Sequence, residues 1–144
     1  MCSSGLAQPH SAAYGMIRQS IELLWRQGAD LFSTSQNMAE FWNVCTRPTG
    51  NNGFGSTVAE TDVLAGLIEG QFTLAPDSEE THRAWRRIVV ADQVSGVQVH
   101  DARLVAAMQV HGITHLLTLN VSDFRRFQNV DVVSPRQLMA RSQP

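Results

Sequence analysis

The stretch from His100 to Leu119 constrains the fold more than any other part of the sequence. His100 to His111 reads as a helix that is apolar nearly all round, and Gly112 stops it. Ile113 to Leu119 follows at once as an apolar run suited to a strand buried on both faces. Strands of that kind belong to parallel sheets with helices packed on each side, so the chain is predicted to be an α/β domain.

The rest of the sequence keeps to this alternation. A first helix is expected from Ser11 to Gln27, with Met16, Ile17, Ile21, Leu24 and Trp25 at helical spacing and Gly28 closing it. A strand at Asp30 to Thr34 leads into a helix at Ser35 to Thr46, and Pro48 bars its continuation. Arg47 to Gly55 is a Gly-, Asn- and Pro-rich loop. Thr57 and Glu60 have capping-box spacing for a helix reaching Glu69. A strand at Phe72 to Ala75 precedes a helix opened by Asp77 or Ser78 and carrying Trp85, Ile88 and Val89. A helical turn near Asp123, a strand at Asp131 to Val133 and a helix after Pro135 complete a single domain of 144 residues. A doubly wound domain normally opens with its central strand, whereas this chain opens with a polar octapeptide and then a helix. The usual first strand is therefore expected to be missing.

Composition removes several chemistries. All 11 basic residues are Arg, and without Lys there is no Schiff-base catalysis and no Lys-dependent phosphate loop. The Gly50 to Ser56 segment lacks the strand and Lys of such a loop, and Gly53 and Gly55 lack the third glycine of a dinucleotide fingerprint. His111 and His115 are four apart, but Gly112 interrupts the helix that would align them for zinc; His115 is expected to face the helices flanking the sheet. A net charge of −2 argues against a protein that coats nucleic acid by bulk electrostatics. No apolar run reaches the roughly 20 residues that span a bilayer. The opening residues lack the basic and apolar regions of a secretory signal, and two cysteines cannot form a disulfide framework. A cytoplasmic protein with no membrane contact is expected.

Three acids stand apart. Glu40 lies on a helical face shared with Gln36, Asn37, Asn43 and Arg47, rich in amides and resembling the wall of a polar cavity. Asp101 opens the apolar helix, where a buried carboxylate must be paired or must hold a metal. Asp123 follows the strand at Ile113 to Leu119, with Asn120 beside it, where parallel sheets bind ligands. Only the carboxyl rim of the sheet can bring these elements together. Converging carboxylates repel unless cations neutralise them, and hard oxygen donors suit Mg²⁺ or Mn²⁺. Such ions activate water and clamp phosphodiester oxygens, so metal-assisted phosphodiester hydrolysis is the expected chemistry. Arg103 is placed to order the acids or meet a phosphate. Arg86, Arg87, Arg125 and Arg126 are candidate phosphate contacts, and Trp25 and Trp42 candidate core or partner contacts.

Glu40-Phe-Trp with Thr46-Arg-Pro48, His100-Asp-Ala-Arg-Leu-Val-Ala-Ala-Met108 and Leu117-Thr-Leu-Asn-Val-Ser-Asp-Phe124 together resemble the PIN-domain family. More narrowly they look like the VapC-type toxins of bacterial type II toxin–antitoxin pairs. The resemblance implies a parallel sheet flanked by helices and an Mg²⁺- or Mn²⁺-dependent ribonuclease. Glu40, Asp101 and Asp123 match family metal ligands, and Asn120 matches a polar residue beside them. It further implies RNA as substrate, a cognate antitoxin as partner and a homodimer. Family members open with an apolar strand ending in an acidic ligand, which this sequence lacks, so a start codon placed too far downstream or a true truncation is expected. A catalytically impaired module that binds RNA or an antitoxin without cleaving is the alternative.

Overall fold

The computed structural model describes residues 12–51, 53–118 and 121–141. The chain is mixed α/β, as the alternation predicts. Helix α1 (Ala12–Arg26) is followed by β1 (Phe32–Thr34), α2 (Ser35–Thr46), α3 (Val58–Gln71), β2 (Thr73–Ala75), α4 (Glu79–Ala91), α5 (Gln98–Val110), β3 (His115–Leu117), β4 (Asp131–Val133) and α6 (Pro135–Arg141). The expected cap at Ser11 lies outside the described residues.

Local chemistry sets the boundaries. Gly28 ends α1 at φ +77°, a left-handed conformation that glycine adopts without a Cβ penalty. Thr34 caps α2: its hydroxyl accepts from the Asn37 N–H at 3.1 Å, while Asn37 Oδ1 accepts from the Thr34 N–H at 3.0 Å. The predicted Thr57–Glu60 capping box starts α3, and Ser78 rather than Asp77 caps α4. Val97 gives α5 no side-chain cap, and that helix begins two residues before the predicted His100.

Among the described residues, the strands do not form one sheet. Strand β1 pairs in parallel with β2, Phe32 opposite Thr73 and Thr34 opposite Ala75. Strand β3 pairs in parallel with β4, His115 opposite Asp131 and Leu117 opposite Val133. These are two separate two-stranded sheets. The apolar side chains gather into two clusters. One gathers Ala84 and Ile88 of α4, Ala102, Leu104, Val105 and Met108 of α5, Leu116, Phe124 and Phe127. Small alanines on both helices let α4 and α5 approach closely. The second centres on Phe41, Cys45 and Ala65, with Met38, Trp42, Phe54, Leu64 and Ile68 around them. Burying an aromatic ring such as Phe41, 1% exposed, contributes about 1.5–3 kcal/mol.

Division of the sheet alters two expectations. The run at Ile113 to Leu119 is not covered on both faces: Leu116 is buried, but His115 is exposed. His115 does not face flanking helices; its Nε2 lies 3.1 Å from Asp131 Oδ2 across the strand pair. Trp25 is 53% exposed and is no core residue, whereas Trp42 packs in the second cluster.

Candidate functional site

Asp101 stands in the first turn of α5 and is half-buried. Glu40 is exposed on α2, the helix that follows β1. Asp123 is exposed in the 3-10 turn Val121–Phe124, which follows β3. Asn120, the fourth predicted residue, lies outside the described residues.

Glu40 and Asp123 act on Asp101. Burial, then the negative charge of Asp123, then that of Glu40, push the Asp101 carboxyl above its ordinary range, while neighbouring His100 pulls it down. A carboxylate in a first helical turn is normally favoured by the helix dipole. Here desolvation and two like charges outweigh that benefit. Residues far apart in sequence therefore come near enough around Asp101 for their charges to be felt there. A positive charge placed there would be stabilised by all three.

Gln36 builds the rim. In the first turn of α2, its Nε2 donates to the His100 carbonyl at 2.9 Å and so ties α2 to the start of α5. Its Oε1 is buried without a hydrogen-bond partner. The sequence places Gln36 on the polar face with Glu40, but nothing in its spacing reveals this contact across 64 positions. Asn37, from the same predicted face, turns inward instead. It is buried, because its side chain is spent on the Thr34 cap. The amide-rich face is therefore partly a capping device.

Arg103 is not directed at the acids. Its Nη2 bonds Asp77 Oδ2 at 2.7 Å, an exposed pair worth at most about 1 kcal/mol. Arg126 donates to the Asp92 carbonyl at 2.9 Å and to Gln98, clasping the connection between α4 and α5. Arg86, Arg87 and Arg125 are exposed. Beside Asp101, a cleft of about 280 Å³ is lined by Asp77, Ser78, Thr81, His82, Trp85, Val99, His100 and Arg103. Trp85 is fixed there by its indole N–H, which donates to the Val99 carbonyl at 2.9 Å, and the His82 ring lies 5.7 Å from it.

Among the described residues, no three His, Cys, Asp or Glu side chains are gathered closely enough to hold one ion. Glu40 and Asp123 thus act on Asp101 without the three sharing a coordination sphere. Their donor set still suits a hard cation, since Mg²⁺ keeps several waters and is commonly held by only one or two carboxylates. No family model matches the chain, and no curated protein matches it. Among the described residues, no helix is long and apolar enough to cross a membrane.

Proposed function

We propose that the chain is a metal-dependent ribonuclease whose working centre is the acidic rim formed by Glu40, Asp101 and Asp123. The observation that carries this reading is the placement of Glu40 and Asp123 near enough to half-buried Asp101 for their charges to act on it. A half-buried carboxylate with two like charges nearby favours a divalent cation as its neighbour. The motif resemblance to VapC-type toxins supports a PIN-like domain, an antitoxin partner and a homodimer as parts of the same proposal.

In this reading Asp101 is the principal ligand for Mg²⁺ or Mn²⁺, and Asp123 or Glu40 completes its oxygen donors. The ion supplies Lewis-acid chemistry, lowering the pKa of water and neutralising charge on a phosphodiester. Asn120 is proposed to orient Asp123 or that water. Gln36 holds Asp101 in register by fixing the main chain at His100. The neighbouring cleft suits a nucleotide: Trp85 and His82 offer stacking surfaces, and Arg103 offers a guanidinium at its edge.

The test is cleavage of a mixed RNA substrate with Mg²⁺ or Mn²⁺ and with a chelator. Cation-dependent cleavage that falls at least about 100-fold in Asp101→Asn, on the scale of losing a positioned catalytic group, is the expected result. Cleavage unaffected by chelation or by that substitution overturns the reading. The separation of the acids favours a second reading, a module that binds RNA or an antitoxin without cleaving it. That reading predicts RNA retention with no cation-dependent cleavage.

A further inference from the structure

The cleft beside Asp101 contains an ion pair that uses only part of each partner. Arg103 Nη2 meets Asp77 Oδ2 at 2.7 Å, while among the described residues Asp77 Oδ1 and Arg103 Nη1 have no protein partner. Both side chains line the cleft and are about half exposed, so an acceptor oxygen and a guanidinium edge stand side by side, open to a ligand. Trp85 adds a flat surface. It packs against the larger apolar cluster, its indole N–H is anchored on the Val99 carbonyl, and the exposed His82 ring lies beside it at a 40° tilt. A ring held in this way loses little freedom when a ligand stacks on it. The charges restrict what fits. Asp77 and Arg103 offset each other, so neither a cation nor an isolated anion finds a net opposite charge there. His82 and His100, which add positive charge when protonated, further disfavour a cation. A phosphate at the start of α4 would meet Glu79 and Glu80 in the first turn, and Ser78 already caps that turn by accepting from the Thr81 N–H. What suits the cleft is a neutral, flat ligand that carries donors beside an acceptor.

We infer that this cleft reads an unpaired guanine base. The base stacks on Trp85 and His82, its N1–H and N2–H donate to the Asp77 carboxylate, and its O6 accepts from Arg103. Guanine alone among the four RNA bases offers two adjacent donors flanked by an acceptor along its pairing edge. Adenine, cytosine and uracil each offer that carboxylate one donor at most, and leave the other oxygen facing an acceptor. Unstacked bases that rest on aromatic rings and are read along this edge are the usual targets of sequence-specific recognition in single-stranded RNA. The inference deepens the ribonuclease proposal and rests on it for the source of the guanine. His100 and Arg103, which line the cleft, flank Asp101 in α5, so the bound base would select which phosphodiester reaches the acids.

The test is isothermal titration of the full chain with GMP, AMP, CMP and UMP in chelator-containing buffer, so that a metal at the acids plays no part. GMP should bind at least about tenfold more tightly than the other three, and inosine monophosphate, which lacks the N2 amine, should fall between. Asp77→Asn removes the second carboxylate oxygen at the cost of an exposed ion pair worth little to stability, and it should erase the preference for GMP with the helical signal retained. His82→Ala should weaken all four nucleotides to a similar degree. A 2′-O-methyl RNA hexamer with one guanine should bind more tightly than the same strand with adenine in its place; a preference confined to free GMP would overturn RNA as the source. Equal affinity for the four mononucleotides, absence of binding, or a guanine preference that survives Asp77→Asn would overturn the base assignment. Guanine binding by a chain that cleaves no RNA would uphold the cleft and refute the ribonuclease proposal alone, whereas cation-dependent cleavage with no guanine preference would do the reverse.

Discussion

The side-chain amide of Gln36 donates to the main-chain carbonyl of His100 at 2.9 Å, joining the helix that bears Glu40 to the turn that bears Asp101. Two of the three rim acids therefore depend on one hydrogen bond for their mutual placement. Gln36→Leu keeps the volume and removes the donor. It should lower stability by about 0.5–1.5 kcal/mol, seen as a fall in urea midpoint without a change in slope. It should also weaken the influence of Glu40 on Asp101, so that the Asp101 carboxyl, followed by NMR, titrates at lower pH than in the parent.

Asp101 itself sets a pH dependence. Its folded-state pKa lies above the ordinary value of 3.8, so between the two values the folded chain holds a proton that the unfolded chain has released. Stability contributed by this group is present below 3.8 and is lost as pH rises through the folded pKa. Asp101→Asn mimics the protonated form at every pH. In chelator-containing buffer at pH 7 it should raise Tm relative to the parent, and the difference should vanish on acidification. A lower Tm at pH 7 would show that the charged carboxylate is a net stabiliser.

The legible part of this fold was local. Capping signals located α3 at Thr57, and Gly28 and Gly112, at φ +77° and +69°, close their helices as their positions predict. That Glu40 and Asp123 lie near enough to act on Asp101 is consistent with the parallel pairing of both strand pairs, although the acids are not gathered into one ligand set among the described residues. Long-range pairing was not legible. An apolar run such as Ile113 to Leu119 looks the same whether a strand has one neighbour or two, and among the described residues of this run only His115–Leu117 is strand. Likewise nothing distinguishes Asn37, spent on a cap, from Gln36, which reaches another helix, until the backbone fixes their directions.

Gly53 illustrates a constraint of contact rather than of dihedral angle. The loop after α2 folds back so that Gly53 N–H donates to the Pro48 carbonyl at 3.0 Å, and Phe54 N–H to the Val44 carbonyl at 3.0 Å. A Cβ on Gly53 would overlap the Arg47 carbonyl oxygen. Gly53→Ala should therefore destabilise by about 1–3 kcal/mol, the range for forced overpacking. Gly50→Ala, where a Cβ meets nothing, should fall within about 0.5 kcal/mol of the parent in the same denaturation series.

Cys45 is fully buried against Phe41 and Ala65, and burial pushes its thiol up to about 11. The thiolate is the reactive form, so at pH 8 native Cys45 should resist alkylation. Its modification, followed by mass spectrometry of the peptide that contains it, should rise with denaturant in step with loss of helical signal. Rapid labelling of Cys45 under native conditions would show that the α2–α3 cluster opens locally.

The most direct measurement of the central claim is calorimetric titration of the full chain with Mn²⁺, repeated for Asp101→Asn, Asp123→Asn and Glu40→Gln. The account predicts one binding event, weakened most by Asp101→Asn and at least about tenfold by Asp123→Asn or Glu40→Gln. Absence of binding, or binding that survives all three substitutions, would contradict it.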